Sequence, residues 1–180
     1  MRCTVRPWEP CDEAAAIEVV RSVYDEYGFT WDPTGYHADL YDVTAHYLDQ
    51  GHRFWVGELD GAVSGTAALQ IFEPIPGERG TVTSHDGLLR IAGTDCALER
   101  LYVHPSARRA GLGTTLMSEA VRQATALGRR AIEIWSDKRF VEAHRLYHRL
   151  GATVVGERVC HDPDQSPEWG LILELRSHTR

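Results

Sequence analysis

A short basic turn with two glycines is the stretch of this sequence whose residue types and spacing point to chemistry. It reads Arg108-Arg-Ala-Gly-Leu-Gly113 and lies between a strand-like run at residues 98–103 and a helical apolar repeat at residues 112–127. Pro105 stops the strand. A helix that starts in such a turn points free backbone N–H groups and the positive end of its dipole outward, beside two arginines. The pattern therefore predicts a binding site for a phosphate group.

Three known phosphate-binding patterns suit a turn of this kind, and the residues separate them. A Walker loop needs Lys-Ser or Lys-Thr after its glycines, but Thr114 follows Gly113 directly and the single lysine of the chain is Lys138. A dinucleotide fingerprint needs a small third residue so that helix and strand pack closely, and Leu116 stands there. The pattern Arg/Gln-x-x-Gly-x-Gly/Ala matches in register behind Leu101-Tyr-Val-His-Pro105. This match resembles the acyl-coenzyme A loop of the GNAT family of N-acetyltransferases.

A second stretch carries the same resemblance. Family members have a strand and a helix ending in a pattern like Ala-x-x-Leu-Tyr-x-x-Leu-Gly-Phe, and this chain has Ala143-His-Arg-Leu-Tyr-His-Arg-Leu-Gly-Ala152 behind a strand-like run at residues 131–135. Together the two matches and their surroundings cover residues 53–160. The chain departs from the family at two places. Phe140 stands where many members have an asparagine that bonds the pantetheine arm, and Ala152 replaces the usual phenylalanine.

The resemblance implies a fold, a reaction and a cofactor site. The fold is α/β, a mixed, mostly antiparallel twisted sheet of about seven strands with helices on both faces, formed by residues 1–180 as a single domain. The reaction is transfer of an acetyl group from acetyl-CoA, without a metal, to a primary amine of a small molecule or peptide that attacks the thioester directly. The residues implied to contact the cofactor are Leu101 and Val103 through their backbone on the strand, and Arg108, Arg109, Ala110, Gly111, Leu112, Gly113 and Thr114 in the turn.

Two side chains are candidates for the proton transfers of this reaction. Tyr147 lies near the end of its helix, where the family places its general acid, and a tyrosine with an ordinary pKa of about 10 can protonate a leaving thiolate. Glu99 shares a strand face with Leu101 and Val103 by the period of two, and we expect either Glu99 or an ordered water to be the general base. His144 and His148 are four residues apart on a helix, but without the glutamate of H-E-x-x-H and a third ligand they do not indicate a metal site.

Two rival functions remain open from the residues. The first is a non-catalytic acyl-CoA-binding module that kept the loop and lost turnover, against which the presence of both Tyr147 and Glu99 argues. The second is a nucleotide-dependent transferase, which titration with ATP and acetyl-CoA would separate from an acetyltransferase.

Composition limits the partners and the compartment. The chain has 43% apolar and 25% charged residues, which is ordinary for a globular protein. A net charge of −7 argues against nucleic acid as a partner and fits a neutral or cationic acceptor. The four cysteines show no metal or disulfide spacing, and no apolar run predicts a signal peptide or a membrane span. We therefore expect a cytoplasmic protein, and resemblance to the family allows a homodimer.

Periodicity and turn residues predict the elements around these sites. The segment at residues 29–37 is an aromatic loop that the family places over the acceptor, where Trp31 and Tyr36 contact either the acceptor or the core. Asp60-Gly61 predicts a hairpin, and residues 73–96 form a long excursion with a strand at 88–91. The other predicted elements are strands at 4–7, 53–59, 62–72, 131–135, 154–160 and 170–175, helices at 12–27 and 39–48, and a helix that contains Phe140, Ala143 and Tyr147.

Overall fold

The computed structural model describes residues 2–175. The strands are β1 (Cys3–Pro7), β2 (Arg53–Leu59), β3 (Ala62–Ile71), β4 (Val82–His85), β5 (Leu88–Ile91), β6 (Cys96–Val103), β7 (Ala131–Asp137), β8 (Thr153–Val159) and β9 (Pro167–Glu174), and the α-helices are α1 (Glu13–Tyr27), α2 (Leu112–Ala126) and α3 (Val141–Arg149). Seven strands form one sheet in the order β1-β2-β3-β6-β7-β9-β8. The predicted α/β class with a mixed sheet of about seven strands is confirmed, because β6 and β7 pair in parallel while β1/β2, β2/β3, β7/β9 and β8/β9 pair antiparallel.

The described chain divides into two compact units. The first contains residues 2–70 and 99–120, and the second contains residues 71–98 and 121–175. The first unit therefore holds β1, β2, most of β3, the last five residues of β6 and the start of α2. The second holds β4, β5, the start of β6, β7, α3, β8 and β9.

The hairpin between β2 and β3 forms where the sequence predicted it. Leu59 pairs with Ala62, so the turn has two residues, and both have a positive φ, +51° at Asp60 and +88° at Gly61. This is the backbone of a type I′ turn, whose twist matches that of the flanking strands. The prediction of an antiparallel pair at this place is confirmed.

Two glycines in that hairpin let α2 pack closely on the first unit's strands. Gly57 and Gly65 are cross-strand partners. A Cβ atom on Gly57 would lie 2.9 Å from Leu112 Cδ1, and one on Gly65 would lie 2.7 Å from Leu116 Cδ1. Both leucines are at most 1% exposed. The first turn of α2 is therefore fixed against the strands by apolar packing, which also fixes the basic turn that precedes it.

The predicted helix at residues 39–48 is wrong. The structure has a 3₁₀ turn at Ala38–Tyr41 and a separate π-helical turn at Thr44–Leu48. Leu40, Val43 and Tyr47 are buried in a core cluster with residues of α1 and β2, and Trp31 and Tyr36 pack against the same cluster. The break between the two turns lets these side chains reach one core, and the 3₁₀ turn places Asp39 against a buried arginine. Trp31 and Tyr36 therefore contact the core, and contact of either ring with an acceptor stays a prediction.

The second unit contains a strand, β4, that is absent from the predicted elements. The strand predicted at 88–91 exists as β5, and it pairs with β4 in a separate two-stranded sheet. The turn that joins them, Asp86-Gly87, has φ values of +51° and +79°, so a second Asp-Gly hairpin signal was present. Arg158 of β8 donates to Leu89 O at 3.0 Å, and Val82 of β4 packs against Gly156 of β8.

Among residues 2–175, no helix combines the length and the apolar character that a membrane span requires.

Candidate functional site

The basic turn is shaped by a sequence of distinct backbone conformations. His104 caps a 3₁₀ turn at Pro105–Ala107, its Nδ1 accepting the N–H of Ser106 at 3.2 Å. Arg108 is extended, Arg109 is left-handed with a φ of +66°, and Gly111 has a φ of +90°. The chain then enters α2 at Leu112. Arg109 and Gly111 therefore both have a positive φ immediately before the helix starts.

The N-terminus of α2 presents backbone donors at this turn. The first i→i−4 hydrogen bond runs from Thr115 N to Gly111 O at 3.0 Å. The N–H groups of Leu112, Gly113 and Thr114 precede that bond and have no acceptor within the helix. A Cβ atom on Gly111 would meet nothing within 4 Å, so the backbone there can be approached closely. Open donors at the positive end of a helix dipole form an anion site.

The two arginines of the turn differ in their surroundings. Arg108 donates from Nη1 to Glu26 Oε1 at 2.7 Å, in an ion pair whose side chains are 37% and 39% exposed. This hydrogen bond raises the pKa of Arg108, so its charge is permanent. Arg109 is exposed. Exposed ion pairs are weak, and the bond to Glu26 does not remove Arg108 from the reach of an anion.

The other predicted turn residues contribute backbone rather than side chain. Ala110 accepts a hydrogen bond from Cys3 Sγ at 3.2 Å through its carbonyl oxygen. The side chain of Leu112 is buried against Gly57, so Leu112 can contribute to the turn through its N–H. Thr114 is exposed and Gly113 is half-buried. The structure therefore brings residues 108–114 together as one surface turn.

The predicted residues of β6 lie on an irregular strand. Glu99, Leu101 and Val103 are all half-buried. Between the first two, Arg100 has a φ of +51°, which is rare for a residue other than glycine, asparagine or aspartate. Its carbonyl oxygen accepts the hydroxyl of Thr66 at 2.7 Å. The simple alternation used to place Glu99 and Leu101 on one face is interrupted by this residue.

Arg100 is the centre of a buried polar cluster that no local sequence pattern predicts. Its Nε and Nη2 donate to the two carboxylate oxygens of Asp39 at 2.9 and 2.7 Å, and Nη2 also donates to Tyr36 O at 2.6 Å. Tyr47 donates its hydroxyl to Asp39 Oδ2 at 2.6 Å. The guanidinium lies 4.9 Å from the centroid of the Tyr36 ring. No local pattern reports a pair separated by 61 residues.

The electrostatics of this cluster keep the ion pair charged. Burial opposes the charge of Arg100, but the facing Asp39 carboxylate outweighs it and raises the pKa of the arginine. Burial likewise opposes the charge of Asp39, yet the guanidinium lowers the pKa of the carboxyl. Burial and Asp39 raise the pKa of Tyr47, and the charge of Glu99 contributes in the same direction. The carboxylate of Glu99 is therefore within electrostatic range of the cluster.

His37 is a second buried group beside Arg100. Its ring stacks on the ring of Trp31, with 3.9 Å between the ring centroids, and lies edge-on to the ring of Tyr24, with 4.4 Å between the centroids. Nδ1 accepts the N–H of Asp32 at 3.1 Å, which places the ring proton on Nε2, a buried atom without a hydrogen-bond partner among residues 2–175. Burial, followed by the charge of Arg100, lowers its pKa to about 4. The ring is therefore neutral at neutral pH.

Tyr147 lies in the second unit on α3 and is 4% exposed. Its neighbour His144 bonds Ser136 Oγ of β7 through Nε2 at 3.1 Å, and burial lowers the pKa of this histidine. His148 bonds Ala152 O through Nδ1 at 3.0 Å. The two histidines thus have separate partners, and within residues 2–175 no group of three His, Cys, Asp or Glu side chains could hold a metal.

Comparison with known proteins identifies the family of the chain. The model of the acetyltransferase (GNAT) family matches residues 18–152. The uncharacterized N-acetyltransferase YjgM of Escherichia coli strain K12 is 30% identical over 145 residues, covering 78% of this chain and 75% of that protein. An L-methionine sulfoximine/L-methionine sulfone acetyltransferase of Salmonella typhimurium is 27% identical over 125 residues, which is 69% of this chain and 62% of that protein's length.

Solved structures share the fold. An acetyltransferase of the GNAT family from Staphylococcus aureus Mu50 superimposes with a TM-score of 0.71 at 16% identity. The match covers 97% of this chain and 100% of the other. The yncA protein of Salmonella typhimurium, solved with its cofactor acetyl-CoA, has a TM-score of 0.70 at 22% identity and covers 99% of this chain and 96% of that one. At these identities the likeness establishes the fold.

Proposed function

The chain belongs to the GNAT family of acetyltransferases, and we propose that it is an acetyl-CoA-dependent N-acetyltransferase acting on a primary amine of a small molecule or peptide. The observation that carries this proposal is the turn at residues 108–114. It combines open N–H donors at the start of α2, an approachable Gly111 and two arginines. A pyrophosphate is the ligand that such an arrangement suits.

The residues present fit the phosphate end of acetyl-CoA. Leu112, Gly113 and Thr114 would donate their N–H groups, Gly111 would allow close backbone approach because no atom lies within 4 Å of its Cβ position, and Ala110 would add only a small methyl group beside it. Arg109 and Arg108 would supply charge, the latter sharing its guanidinium with Glu26. The backbone of Leu101 and Val103 would bond the pantetheine arm in the manner of an added strand.

Acetyl-CoA, when bound, supplies the thioester that the amine attacks directly. We assign Glu99 to take the proton of the attacking amine, directly or through water, because it lies on β6 beside the residues proposed for the pantetheine arm. We assign Tyr147 to give a proton to the leaving thiolate, because it follows Leu146 in the motif near the end of α3, where the family resemblance places the general acid. Proton transfers of this kind typically contribute about 10²- to 10⁴-fold each.

The proposed function also includes the extent of the domain, its compartment and the first acceptors to test. Residues 1–180 would act as one acetyltransferase domain, in the cytoplasm and with the possibility of a homodimer. The four cysteines are free thiols, which suits a reducing compartment. The relative named for L-methionine sulfoximine and L-methionine sulfone makes these two amino acids the first acceptors to test. The alternative is a non-catalytic acyl-CoA-binding module of the same fold.

The test is a screen for thiol release. Purified protein is incubated with acetyl-CoA and one amine at a time: the two methionine derivatives, other free amino acids, polyamines, aminoglycosides and peptides with a free N-terminus. We expect amine-dependent release of the CoA thiol together with an acetylated amine in the mass spectrum. Binding of acetyl-CoA without release for any amine would support the non-catalytic module instead. Binding of ATP in place of acetyl-CoA would contradict both.

A further inference from the structure

The left-handed backbone of Arg100 needs an explanation outside its own sequence. A side chain with a Cβ atom resists a φ of +51°, and arginine has no short polar group that would favour it locally. Such outliers persist when the surrounding structure holds them, and they cluster at functional sites. This one lies directly between Glu99, the proposed base, and Leu101, a proposed contact of the pantetheine arm.

Three residues hold Arg100 in place, two at its side chain and one at its backbone. On the side-chain end, the guanidinium is bound by both oxygens of Asp39 and by Tyr36 O. On the backbone end, Thr66 of β3 donates its hydroxyl to the carbonyl oxygen of Arg100. The arginine side chain is 8% exposed and that of Asp39 is 15% exposed. A bidentate pair shielded in this way fixes both position and orientation.

We propose, on the basis of the function proposed above, that Arg100 and Asp39 are positioning residues that hold the carboxylate of Glu99 where it meets the acceptor amine. The contacts to Arg100 fix the strand on the C-terminal side of Glu99, so the direction of the Glu99 side chain depends on the ion pair between Arg100 and Asp39. Glu99 is within electrostatic range of the same cluster, since its charge acts on Tyr47. A misplacement of about 1 Å is enough to cost about 10²-fold in rate.

A double-mutant cycle separates positioning from simple support of the fold. Asp39→Asn removes the charge that holds Arg100 while keeping the shape of the side chain. We expect it to lower kcat about tenfold or more when Glu99 is present, and less than about twofold in a Glu99→Gln background, because it acts through Glu99. The Kd of acetyl-CoA, measured by titration calorimetry, should stay within about twofold of the parent.

Two further variants keep the test sound. Tyr47→Phe removes only the hydrogen bond from the hydroxyl to Asp39 and keeps the ring, whose centroid lies 5.2 Å from that of Phe54. This variant replaces Asp39→Asn in the cycle if Asp39→Asn fails to fold. Glu133→Gln is the matched control, because Glu133 is 0% exposed and is likewise held by an arginine, Arg90, at 3.0 Å in the second unit. Its effect on kcat should be the same with and without Glu99.

The outcomes distinguish this inference from the function on which it rests. If Asp39→Asn or Tyr47→Phe lowered kcat by the same factor with Glu99 present and in the Glu99→Gln background, the positioning role would be overturned. The acetyltransferase proposal would still stand. An unchanged kcat in Glu99→Gln alone would overturn the positioning role together with the base assignment. If the parent released no thiol with any amine, the proposed function and the positioning role would both fall.

Discussion

The buried histidine of the first unit should make the protein lose stability in mild acid. Because His37 has a pKa of about 4 in the folded chain and an ordinary value of 6.5 when exposed, the unfolded chain binds a proton over this range that the folded chain does not. The contribution of His37 to the stability of the fold is therefore fully present when the pH is above its ordinary pKa of 6.5, and it is lost as the pH falls toward 4. Each pKa unit corresponds to about 1.4 kcal/mol, so His37 should account for about 3 kcal/mol in total and about 2 kcal/mol between pH 7 and about pH 4.5.

The groups around His37 explain the direction. Burial dominates, the positive charge of Arg100 acts in the same direction, and Asp39 and Asp32 oppose it with their negative charges. Other groups also respond to acid. Burial raises the pKa of Glu168, which works in the opposite sense, because a carboxyl with a raised pKa favours the folded state at low pH. A comparison of variants removes these shared contributions.

Urea unfolding of the parent and of His37→Asn at several pH values measures this contribution. Asparagine can keep an acceptor near the position of Nδ1 for the N–H of Asp32, but it loses the stacking on Trp31 and cannot titrate. We expect the variant to be less stable at neutral pH, with the difference shrinking by about 2 kcal/mol by about pH 4.5. His161→Asn, at an exposed position, should follow the parent at every pH. Parallel curves for the parent and His37→Asn would refute the reasoning.

Three substitutions test the packing and the assigned chemistry. Gly65→Ala places a Cβ atom 2.7 Å from Leu116 Cδ1 and should lower the free energy of unfolding by about 1–3 kcal/mol; an unchanged urea midpoint would contradict the close fit of α2. Glu99→Gln should lower the rate at neutral pH, with a loss that shrinks at high pH as an amine of pKa about 10.4 becomes neutral unaided; an identical pH–rate profile would leave the base to water. Tyr147→Phe keeps the buried ring and should lower kcat by about 10²- to 10⁴-fold with little change in Tm, whereas turnover within about twofold of the parent would leave thiolate protonation to solvent.

Local signals were enough to predict the elements that carry the turn. The strand before it, the helix after it and the Asp60-Gly61 hairpin each follow from period, proline and turn residues in one short window. The seven-stranded mixed sheet came from the family resemblance and is confirmed. The β4 strand was missed although Asp86-Gly87 signals a hairpin of the same type, because its four residues carry little apolar pattern.

Contacts between distant residues could not be predicted from the sequence. Arg100 and Asp39 are 61 residues apart, and Arg108 and Glu26 are 82 apart, so neither pair appears in a local pattern. The left-handed backbone of Arg100 could not be predicted from the sequence either, because arginine does not favour this conformation. The break of the predicted helix at 39–48 follows from the same cause, because Asp39 and Tyr47 must both reach the buried cluster. The roles of Glu99 and Tyr147 remain predictions.

Calorimetric titration of acetyl-CoA into the parent and two glycine variants tests the central assignment most directly. Gly111→Asp adds a side chain and a negative charge where the backbone must approach the phosphates. Gly128→Asp is the matched control at the other end of α2, because it also has a positive φ, +69° against +90°, and also has nothing within 4 Å of a Cβ atom. We expect the parent and Gly128→Asp to bind acetyl-CoA with the same Kd and Gly111→Asp to bind at least about tenfold more weakly. Equal affinity in all three proteins would show that residues 108–114 are not the acyl-CoA site.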